Sequence, residues 1–464
     1  MIKTTQEDLQ LELEYLADLF NVPEDYPIEH KETEIDGAII NEFIVGQAHK
    51  QFVFQYSLEP NLTALAKKSL RKRQVKVNLY DILSKEFNKT LPWGSLTGIR
   101  PTKFARDMIE SGMAKKVTIA ETLERDYRVR KDKARLTAQI LKNQKCIIRN
   151  DNLVDLYVNI PVCPTRCLYC SFISSELERV KDKMPSYIEC MLKEIEAVRQ
   201  IVAKKAYIIR TIYIGGGTPS VLTAGQLDTL LSALNFPVSE LTVECGRPDT
   251  ITREKLEVLK KHNVTRISIN PQTFCEATLK RIGRKHKNSQ VFECYQMALE
   301  QGFNVNMDII AGLPGEKMGV FKRTMQTLLE LAPENITVHS LSVKRGSRLS
   351  EQETVLDEKE VPKMVDYAQK VLSENGYKPY YLYRQKHQLG GLENVGFYRD
   401  DKVCIFNIDS MEETNSVIAI GAGAMSKRVF NVEKRIEREA NCKFIEDYIV
   451  RIDEMIEKKK EFFK

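Results

Sequence analysis

The sequence predicts a mixed α/β protein built around a parallel sheet, and two observations support this fold class. First, from Leu153 onwards short β-rich apolar runs alternate with amphipathic helical segments, six times in succession. Strands that alternate with crossover helices form parallel sheets. Second, a turn-rich stretch at Asn150–Asn152 separates this region from an N-terminal part without such alternation. We therefore expect three domains, at residues 1–150, 151–345 and 346–464.

The individual elements follow from hydrophobic periodicity. In the middle region, strands are predicted at residues 156–160, 208–214, 241–244, 264–269, 304–310 and 335–341. Helices are predicted there at residues 185–202, 225–234, 253–262, 275–282, 291–301 and 320–331. In the N-terminal region we expect a helix at 10–20, strands at 35–44 and 51–58, and a helix at 62–86. In a parallel sheet, reactive side chains belong at the carboxyl ends of the strands.

Composition places the chain among ordinary globular proteins, because 42% of its 464 residues are hydrophobic and 29% are charged. The N-terminus has no apolar signal core and no run of 18 apolar residues occurs, so we expect a cytoplasmic protein without a membrane span. The net charge of +6 suits an anionic substrate but does not indicate nucleic-acid binding. The basic run Lys67–Lys76 lacks interleaved aromatic residues, and we expect it to be a solvated helix face.

The strongest signal for a functional site is a cysteine triplet directly after the first strand of the middle region. Cys163, Cys167 and Cys170 follow the spacing Cys-x3-Cys-x2-Cys. A disulfide with one spare thiol is disfavoured, because nothing in the sequence indicates an oxidising compartment. Structural zinc requires a fourth ligand, and no further Cys or His lies near enough in the sequence. Three close thiolates can instead hold three irons of a [4Fe–4S] cluster and leave the fourth iron open to a small molecule.

Further motifs stand near the ends of the later strands, and each also has a simpler interpretation. Gly215–Thr218 is a glycine triplet that lets a ligand approach the backbone, although such triplets are more often turns. Glu244 ends the third strand, where it is either an acceptor for hydroxyl groups or ordinary surface charge. Gln272 and Asp308 accompany the next two strands. Arg284 follows a helix, where a cation is favourable without any ligand.

Two other features are less specific. The loop Trp93–Lys103 holds the only tryptophan, and the absence of a following Gly-Lys-Ser/Thr sequence excludes a P-loop. We expect an ordered turn carrying Arg100 and Lys103; a purely structural turn is favoured over contact with substrate carboxylates. His339 and His387 are expected near the sheet's carboxyl end, more often as hydrogen-bonded structural residues than as axial ligands or proton relays.

The stretch from Leu156 to Phe172 resembles the signature of the radical S-adenosylmethionine superfamily. The wider pattern resembles its oxygen-independent coproporphyrinogen III oxidase family, over about residues 155–345 and more loosely at Gly421–Lys427. The N-terminal extension is similar to that of Gram-positive-type coproporphyrinogen dehydrogenases. The resemblance implies a partial (β/α)6 parallel barrel with an N-terminal α+β domain and a C-terminal α+β domain that covers the barrel. It also implies S-adenosylmethionine contacts at Tyr157, Tyr169, Gly216, Gly217, Thr218, Glu244, Gln272, Arg284 and Asp308.

By the same resemblance, Cys163, Cys167 and Cys170 bind a [4Fe–4S] cluster that passes one electron to S-adenosylmethionine, of which one or two molecules are expected. The resulting radical abstracts hydrogen from two propionates of coproporphyrinogen III in turn, and loss of carbon dioxide gives protoporphyrinogen IX. A tetrapyrrole substrate and a small electron-donor protein such as flavodoxin or ferredoxin are implied as partners. The cofactors carry the difficult chemistry, and no catalytic side chain is assigned.

Two positions depart from the family pattern. Asn159 stands where the family usually has histidine, and Phe172 stands where its best-known branch has a fourth cysteine. Both departures favour an alternative function, a haem-binding or haem-trafficking protein without decarboxylase turnover. The stretch Glu393–Tyr398 opposes that alternative, because it lacks the histidine and tryptophan of the haem-chaperone element. A third alternative is a radical enzyme that acts on another tetrapyrrole.

Overall fold

The structure is a computed structural model that describes residues 2–58, 64–172, 175–344, 346–351, 359–385 and 388–464. The chain divides into two compact units. The first comprises Met1–Leu141, Arg384–Lys386 and Gly390–Leu392, and the second comprises Lys142–Tyr383, His387–Leu389 and Glu393–Lys464. His387, which the sequence singled out, lies outside the described residues. Within the described ranges, no helix combines the length and the apolar character needed to cross a bilayer.

The described part of the first unit combines a four-stranded sheet with helices. Its strands, in their order across the sheet, are β1 (Ile2–Thr4), β2 (Ile28–Ile35), β3 (Ala38–Val45) and β4 (Lys50–Ser57). The helices that begin in this unit are α1 (Gln10–Phe20), α2 (Ala64–Glu86), α3 (Pro101–Glu110), α4 (Ile119–Tyr127) and α5 (Lys131–Asn143). The apolar faces of α1 and α2 share one core with the sheet, which includes Leu13, Leu16, Phe43 and Leu79.

The predicted elements of the first unit are largely confirmed. The helix predicted at 10–20 is α1, and the two predicted strands correspond to β3 and β4 with shifted ends. The helix predicted from residue 62 is α2 from Ala64 onwards, and residues 62–63 lie outside the described ranges. Strand β2 was not predicted, because its charged positions interrupt the apolar alternation. Pairing with β3 along its full length and the tight turn Asp36–Gly37, with φ of 51° and 76°, place it in the sheet.

The second unit contains the predicted parallel sheet. Its described strands are β5 (Leu153–Ile160), β6 (Val162–Cys163), β7 (Ser175–Glu176), β8 (Ile208–Gly216), β9 (Glu240–Val243), β10 (Arg266–Ser268), β11 (Asn304–Ala311), β12 (Asn335–Ser340), β13 (Lys378–Tyr383), β14 (Asn394–Tyr398), β15 (Ser416–Ile420), β16 (Met425–Phe430) and β17 (Arg435–Ala440). Its described helices are α6 (Leu177–Val180), α7 (Met184–Lys205), α8 (Ala224–Ala233), α9 (Arg253–Lys261), α10 (Glu276–Arg281), α11 (Asn288–Glu300), α12 (Met318–Leu331), α13 (Glu360–Glu374), α14 (Ile405–Glu412), α15 (Ile445–Val450) and α16 (Ile452–Phe462). Each strand and helix predicted for the middle region is present with the predicted type.

One large sheet has the strand order β13-β14-β12-β11-β10-β9-β8-β5-β15-β16-β17. Strands β5 and β8 to β12 are neighbours in chain order and pair in parallel. The predicted α/β fold class, with a partial parallel barrel of six β/α units, is therefore confirmed. Strands from beyond residue 345 extend the same sheet, since β15 pairs in parallel with β5 and β14 pairs antiparallel with β12. The division into three domains stays a prediction.

Buried ion pairs fasten the amino ends of the parallel strands. Arg266 at the start of β10 donates to Glu240 at the start of β9 over 2.5 Å, and both side chains are buried. Arg210 on β8 lies 2.9 Å from Asp409, which is also buried. Removal of one partner from such a pair costs about 3–5 kcal/mol, because it leaves an uncompensated buried charge. These contacts stabilise one end of the sheet, and ligand chemistry belongs at the other.

Candidate functional site

The cysteine triplet lies in the loop that follows β5. Cys163 belongs to the short strand β6, which pairs with β7, and Cys167 and Cys170 lie in the turn beyond it. A backbone hydrogen bond of 3.0 Å from Leu168 N to Ile282 O fastens this loop to the segment after α10. None of the three cysteines forms a disulfide, and all three are partly exposed. The loop therefore presents three thiols at the carboxyl end of the sheet.

This donor set fits a [4Fe–4S] cluster better than a single metal ion. Burial raises the pKa of the Cys170 thiol to about 11, and the Cys167 and Cys163 charges add to the shift, so the three sulfurs lie within electrostatic range. In the described part of the chain, no three Cys, His, Asp or Glu side chains stand close enough to hold one ion. A mononuclear site gathers its ligands around one point, whereas a cubane carries each thiolate on a separate iron. Phe172, at the position of the fourth family cysteine, is 66% exposed and offers no ligand atom.

The glycine loop, residues Gly215–Thr218, packs directly against the chain segment that leads into Cys163. Thr218 N donates to Val162 O over 2.8 Å, and Thr218 Oγ1 lies 3.4 Å from Cys163 Sγ. A Cβ at Gly217 would lie 2.5 Å from Val162 O, and Gly216 has a φ of +107° that side chains disfavour. Because these two positions have no side chain, the backbone of the loop approaches the first cysteine closely. The arrangement suits a cofactor that contacts both loops.

Glu244 follows β9 and lies beside the glycine loop. Its carboxylate accepts a hydrogen bond from the Tyr213 hydroxyl on β8. A Cβ added at Gly215 would lie only 2.9 Å from Glu244 Oε2, which shows how close the two segments are. Burial raises the pKa of Glu244 to about 7, and the neighbouring Asp308 carboxylate acts in the same direction. Glu244 therefore titrates near neutral pH, and its ionised form can accept hydrogen bonds from hydroxyl groups.

Gln272 and Arg284 are held in place by the backbone around them. Gln272 adopts a left-handed φ of +63°, and its N–H donates to Asp308 O over 2.9 Å. Gln272 Oε1 is buried and has no hydrogen-bond partner among the described residues. Arg284 is 5% exposed and donates to Gly246 O and Asn270 O over 2.6 and 3.0 Å, which joins the segments after β9 and β10. A strained backbone with an unsatisfied buried acceptor is typical of a ligand site.

Asp308 on β11 lies in a network of donors. Asn270 Nδ2 and Asn306 Nδ2 each donate to one of its carboxylate oxygens, over 2.9 and 2.8 Å. His339 Nε2 on β12 lies 3.6 Å from Asp308 Oδ2, and His339 Nδ1 lies 3.5 Å from the Tyr383 hydroxyl. Burial acts to raise the pKa of Asp308, but His339 and the other donors hold it below its ordinary value. Asp308 is therefore an ionised acceptor at the centre of this network.

The two predicted tyrosines occupy different surroundings. Tyr157 on β5 stacks on Phe406, with ring centres 6.1 Å apart, and its hydroxyl donates to Asn159 Oδ1 over 3.2 Å. Tyr169 lies between the last two cysteines. Burial and the Cys167 charge raise the pKa of Tyr169, while Arg284 opposes the shift, so Tyr169 lies within charge range of both. Tyr157 is thus part of an aromatic stack with Phe406, whereas Tyr169 is part of the cysteine loop itself.

Asn159, at the family's histidine position, connects β5 to the stretch Gly421–Lys427 by a hydrogen bond. Its Nδ2 donates to Ala422 O over 2.5 Å, and its backbone oxygen accepts from the Tyr187 hydroxyl over 2.7 Å. A Cβ at Gly421 would lie 2.5 Å from that same oxygen, so only glycine allows this approach. Asn159 therefore has a packing role that joins two distant parts of the chain.

Sequence reasoning missed two cations beside the cysteine loop. Arg247 is 3% exposed, forms a two-point ion pair with Asp249 and donates from Nη1 to the hydroxyl and carbonyl oxygens of Thr165, over 3.1 and 3.4 Å. Thr165 lies between the first two cysteines. Lys344, beyond β12, is half-buried; burial lowers its pKa, and the Cys170 charge opposes the shift. The cation in the Arg-Pro-Asp stretch after Glu244 was a usable signal for Arg247, whereas Lys344 has none.

The structure brings most of the predicted site residues together at the carboxyl end of the parallel strands. The contacts and charge interactions described above link them in pairs: Thr218 with Cys163, Gly215 with Glu244, Glu244 with Asp308, Gln272 with Asp308, and Tyr169 with Arg284. Their individual roles as ligands of S-adenosylmethionine stay predictions.

The fold and the site define a class of protein, an α/β partial barrel with a three-cysteine loop at the carboxyl end of its strands. In agreement with this, residues 157–328 match the Radical SAM superfamily. The "Oxygen-independent coproporphyrinogen-III oxidase-like protein HemZ" of Bacillus subtilis is 39% identical over 384 residues, which cover 80% of this chain and 76% of that protein. The chain belongs to the radical SAM superfamily, in the family of oxygen-independent coproporphyrinogen-III oxidase-like proteins. A [4Fe–4S] cluster and S-adenosylmethionine are the cofactors that this membership implies.

Two further similarities are lower, one in sequence and one in structure. The "Heme chaperone HemW" of Lactococcus lactis is 33% identical over 266 residues, which cover 52% of this chain and 66% of that protein. The solved structure of coproporphyrinogen III oxidase (HemN) from Escherichia coli superposes with a TM-score of 0.53 at 21% identity, over 70% of this chain and 73% of that one. At this identity the structural match supports the fold alone.

Proposed function

We propose that this protein is a radical S-adenosylmethionine enzyme that oxidatively decarboxylates two propionates of coproporphyrinogen III to give protoporphyrinogen IX. When bound, the cluster and S-adenosylmethionine supply the electron and the radical that abstracts hydrogen from substrate. Each round removes one hydrogen atom, one electron and one carbon dioxide from a propionate, so an external electron acceptor is required. The observation that carries the proposal is the contact of the glycine loop with Cys163, with polar residues at the following strand ends.

The chain's own residues would hold and orient the cofactors. The three thiolates of the triplet bind iron, and the glycine loop offers backbone groups beside Cys163. Ionised Glu244 accepts hydrogen bonds from ribose hydroxyls, and the unsatisfied Oε1 of Gln272 accepts from a bound polar group. Asp308, fixed by its asparagine donors, is a further acceptor. Titration of the reconstituted protein with S-adenosylmethionine measures whether one or two molecules bind.

Cations around the cysteine loop support an anionic substrate. Arg166 stands between Cys163 and Cys167 and donates to Gly346 O. Arg348 lies 3.4 Å from Glu176 but remains about half-exposed. Together with Lys344 near Cys170, these side chains place positive charge around the cysteine loop. A tetrapyrrole with four carboxylates is attracted to such a surface, and the attraction weakens with salt.

A second candidate is a haem-binding or haem-trafficking protein that keeps the cluster but does not turn over. The similarity to heme chaperones favours this candidate, as do Asn159 and Phe172 at the two departing positions. The surroundings of His339 oppose it, because Asp308 and Tyr383 lie at its two nitrogens and compete with axial ligation. The third candidate, a radical enzyme acting on another tetrapyrrole, would release 5′-deoxyadenosine with a different product.

An anaerobic turnover assay separates these candidates. The full chain is reconstituted with iron and sulfide, reduced, and supplied with S-adenosylmethionine and coproporphyrinogen III. We expect protoporphyrinogen IX together with 5′-deoxyadenosine, and neither from the Cys167→Ser variant. Haem binding without release of 5′-deoxyadenosine would support the trafficking function instead. Release of 5′-deoxyadenosine only with a different tetrapyrrole would support the third candidate.

The proposal also includes an electron donor and a cellular location. A small redox protein such as flavodoxin or ferredoxin would reduce the cluster, and the partly exposed cysteine loop allows electron transfer from such a partner. None of the ten cysteines forms a disulfide, which is the pattern of a reducing compartment. These free thiols support the cytoplasmic location that we propose. Reduction of the reconstituted cluster by flavodoxin, followed by its electron paramagnetic resonance signal, tests the donor.

A further inference from the structure

The first unit contains a cavity that the proposed reaction does not use. It has a volume of about 200 Å³ and is bordered by α1, α2, the loop before α3 and the end of α4. Its lining includes Lys72, Arg73, Lys76, Arg100, Phe104 and Tyr127. Three cations of the basic run Lys67–Lys76, for which we expected a solvated helix face, line the cavity. Every residue around the cavity belongs to the first unit.

The cavity carries an excess of positive charge. Its four cations face a single lining carboxylate, Glu12. Lys76 lies 2.6 Å from Glu12, and Lys72 lies 3.8 Å from Glu12 and 3.3 Å from Asp8, so both lysines already have carboxylate partners. Arg73 has no carboxylate within ion-pair distance among the described residues; its guanidinium carbon lies 5.4 Å from the centre of the Tyr127 ring. Because the cations of the lining outnumber its carboxylates, the cavity favours an anionic ligand.

Three features favour a phosphoryl group over other anions. Helix α3 begins at Pro101 on the cavity wall; Pro101 has no N–H to donate, but the positive end of the helix dipole favours an anion there. Arginine side chains bind phosphate oxygens with two parallel hydrogen bonds. The hydroxyl-bearing residue Ser69 also lines the cavity and can donate to a remaining oxygen.

An aromatic pair borders the same space. Phe104 and Tyr127 pack edge to face, with ring centres 5.1 Å apart and planes at 81°. Both line the cavity, so an apolar or planar group attached to the anion would find a surface to pack on. The volume of about 200 Å³ is below the range of about 300–1,000 Å³ that drug-sized ligands occupy, which argues against a tetrapyrrole and requires that part of a bound nucleotide lie outside the cavity.

We propose that the first unit binds a small phosphorylated molecule, with the phosphoryl group near Arg73 and the start of α3 and the attached group against Phe104 and Tyr127. A nucleoside monophosphate has this combination of an anion and a planar body. None of the described residues that line the cavity belongs to the cysteine loop, and binding there does not depend on the proposed reaction. The first unit would then be a binding module for a phosphorylated metabolite.

Calorimetric titration of the anaerobically purified full chain tests the proposal. The probes are adenosine monophosphate, inorganic phosphate, malonate and a short single-stranded RNA. We expect adenosine monophosphate to bind and inorganic phosphate to bind about tenfold more weakly, because phosphate lacks the planar group. Arg73→Gln should weaken adenosine monophosphate binding at least about tenfold. Lys85→Gln removes a charge from the same helix outside the cavity and should change the affinity less than about twofold.

Several outcomes would overturn the proposal. Equal binding by the original chain and Arg73→Gln would exclude the cavity, as would an equal loss in Lys85→Gln, which would indicate general surface charge. Tighter binding of malonate than of phosphate would indicate a carboxylate site. Binding of RNA but not of adenosine monophosphate would indicate a nucleic-acid surface.

Two further variants address nucleotide binding elsewhere and loss of folding. Loss of adenosine monophosphate binding in Glu244→Gln but not in Arg73→Gln would place the nucleotide in the barrel and overturn the proposal. Ser69→Ala is a second cavity variant with unchanged charge, and it should also weaken binding. Circular dichroism of each variant confirms that the chain remains folded.

Discussion

Thr218 Oγ1 lies 3.4 Å from Cys163 Sγ, across 55 residues of sequence. A backbone hydrogen bond of 2.8 Å from Thr218 N to Val162 O reinforces this contact. The glycine loop and the cysteine loop therefore form one continuous edge at the carboxyl end of β5 and β8. A cofactor that binds iron in one loop would meet the backbone of the other.

Replacement of Cys167 should remove the iron–sulfur cluster. Cys167→Ser leaves two thiolates, and a serine oxygen is a poor substitute for a soft sulfur ligand. We expect the reconstituted variant to lose its broad visible absorbance, most of its bound iron and all cleavage of S-adenosylmethionine. Cys275→Ser, which changes a partly exposed cysteine outside the triplet, should keep full iron content. Unchanged iron in Cys167→Ser would contradict the assignment of the triplet.

Addition of one methyl group at Gly217 should disrupt the site. A Cβ there would lie 2.5 Å from the backbone oxygen of Val162, which cannot rotate away as a side chain can. We expect Gly217→Ala to lower the free energy of unfolding by about 1–3 kcal/mol and to abolish S-adenosylmethionine cleavage. Urea denaturation and an assay for 5′-deoxyadenosine measure the two effects.

Gly225 provides the matched control for this substitution. It lies in the first turn of α8, and a Cβ there would meet nothing within 4 Å. Gly225→Ala should raise stability by about 0.4–1 kcal/mol, because it restricts the unfolded chain, and should leave activity unchanged. Equal behaviour of the two alanine variants would show that the close approach at Gly217 does not matter.

Glu244 should make stability depend on pH. Burial raises the pKa of its carboxyl to about 7 from an ordinary value of 4.5. Because the folded chain holds this proton more tightly than the unfolded chain, the group lowers stability as pH rises from about 4.5 to 7, by about 3 kcal/mol in total. Glu244→Gln removes the titration, so the variant should gain about 2–3 kcal/mol relative to the original chain between pH 5 and pH 8.

Urea denaturation at both pH values measures this gain, and the exposed Glu257→Gln serves as the control. A stability difference that stays constant with pH would refute the raised pKa. If ionised Glu244 accepts ribose hydroxyls, S-adenosylmethionine should also bind the original chain more tightly above pH 7 than below it. The affinity of Glu244→Gln should change little over the same range.

Arg247 should act as a positioning residue for the cysteine loop. It is buried against Asp249 and donates to Thr165, which lies between two of the cysteines. Arg247→Gln removes these charged hydrogen bonds, and we expect a loss of about 1.5–3 kcal/mol in stability. Loss of a positive charge near the thiolates should also lower the reduction potential of the cluster. Redox titration followed by electron paramagnetic resonance measures this shift.

Arg253→Gln removes a cation from an exposed ion pair and should leave both quantities nearly unchanged. If Arg247→Gln changes stability but not the reduction potential, Arg247 has only a structural role. An unchanged stability and potential would show that the contact with Thr165 contributes nothing.

Much of the fold was predictable because its signals are local. Periodic apolar segments from 156 to 341 identified six of the parallel strands and their helices, since the period of a strand or helix is a property of a few neighbouring residues. Strand β2 was missed because its side chains are mostly charged and its place in the sheet depends on backbone pairing with β3. The strands β14 and β15 could not be assigned to the large sheet, because their partners are distant in sequence.

The candidate site, like the fold, was predictable from the sequence only in part. The spacing of Cys163, Cys167 and Cys170 by itself indicated an iron–sulfur cluster, because ligands in one loop are constrained by a short chain. Only the tertiary structure decided the raised pKa of Glu244, the contact of Arg247 with Thr165 and the cavity beside Arg73. Each of these three features depends on burial or on contacts between segments far apart in the chain. The spacing of residues within one short segment determines neither burial nor such contacts.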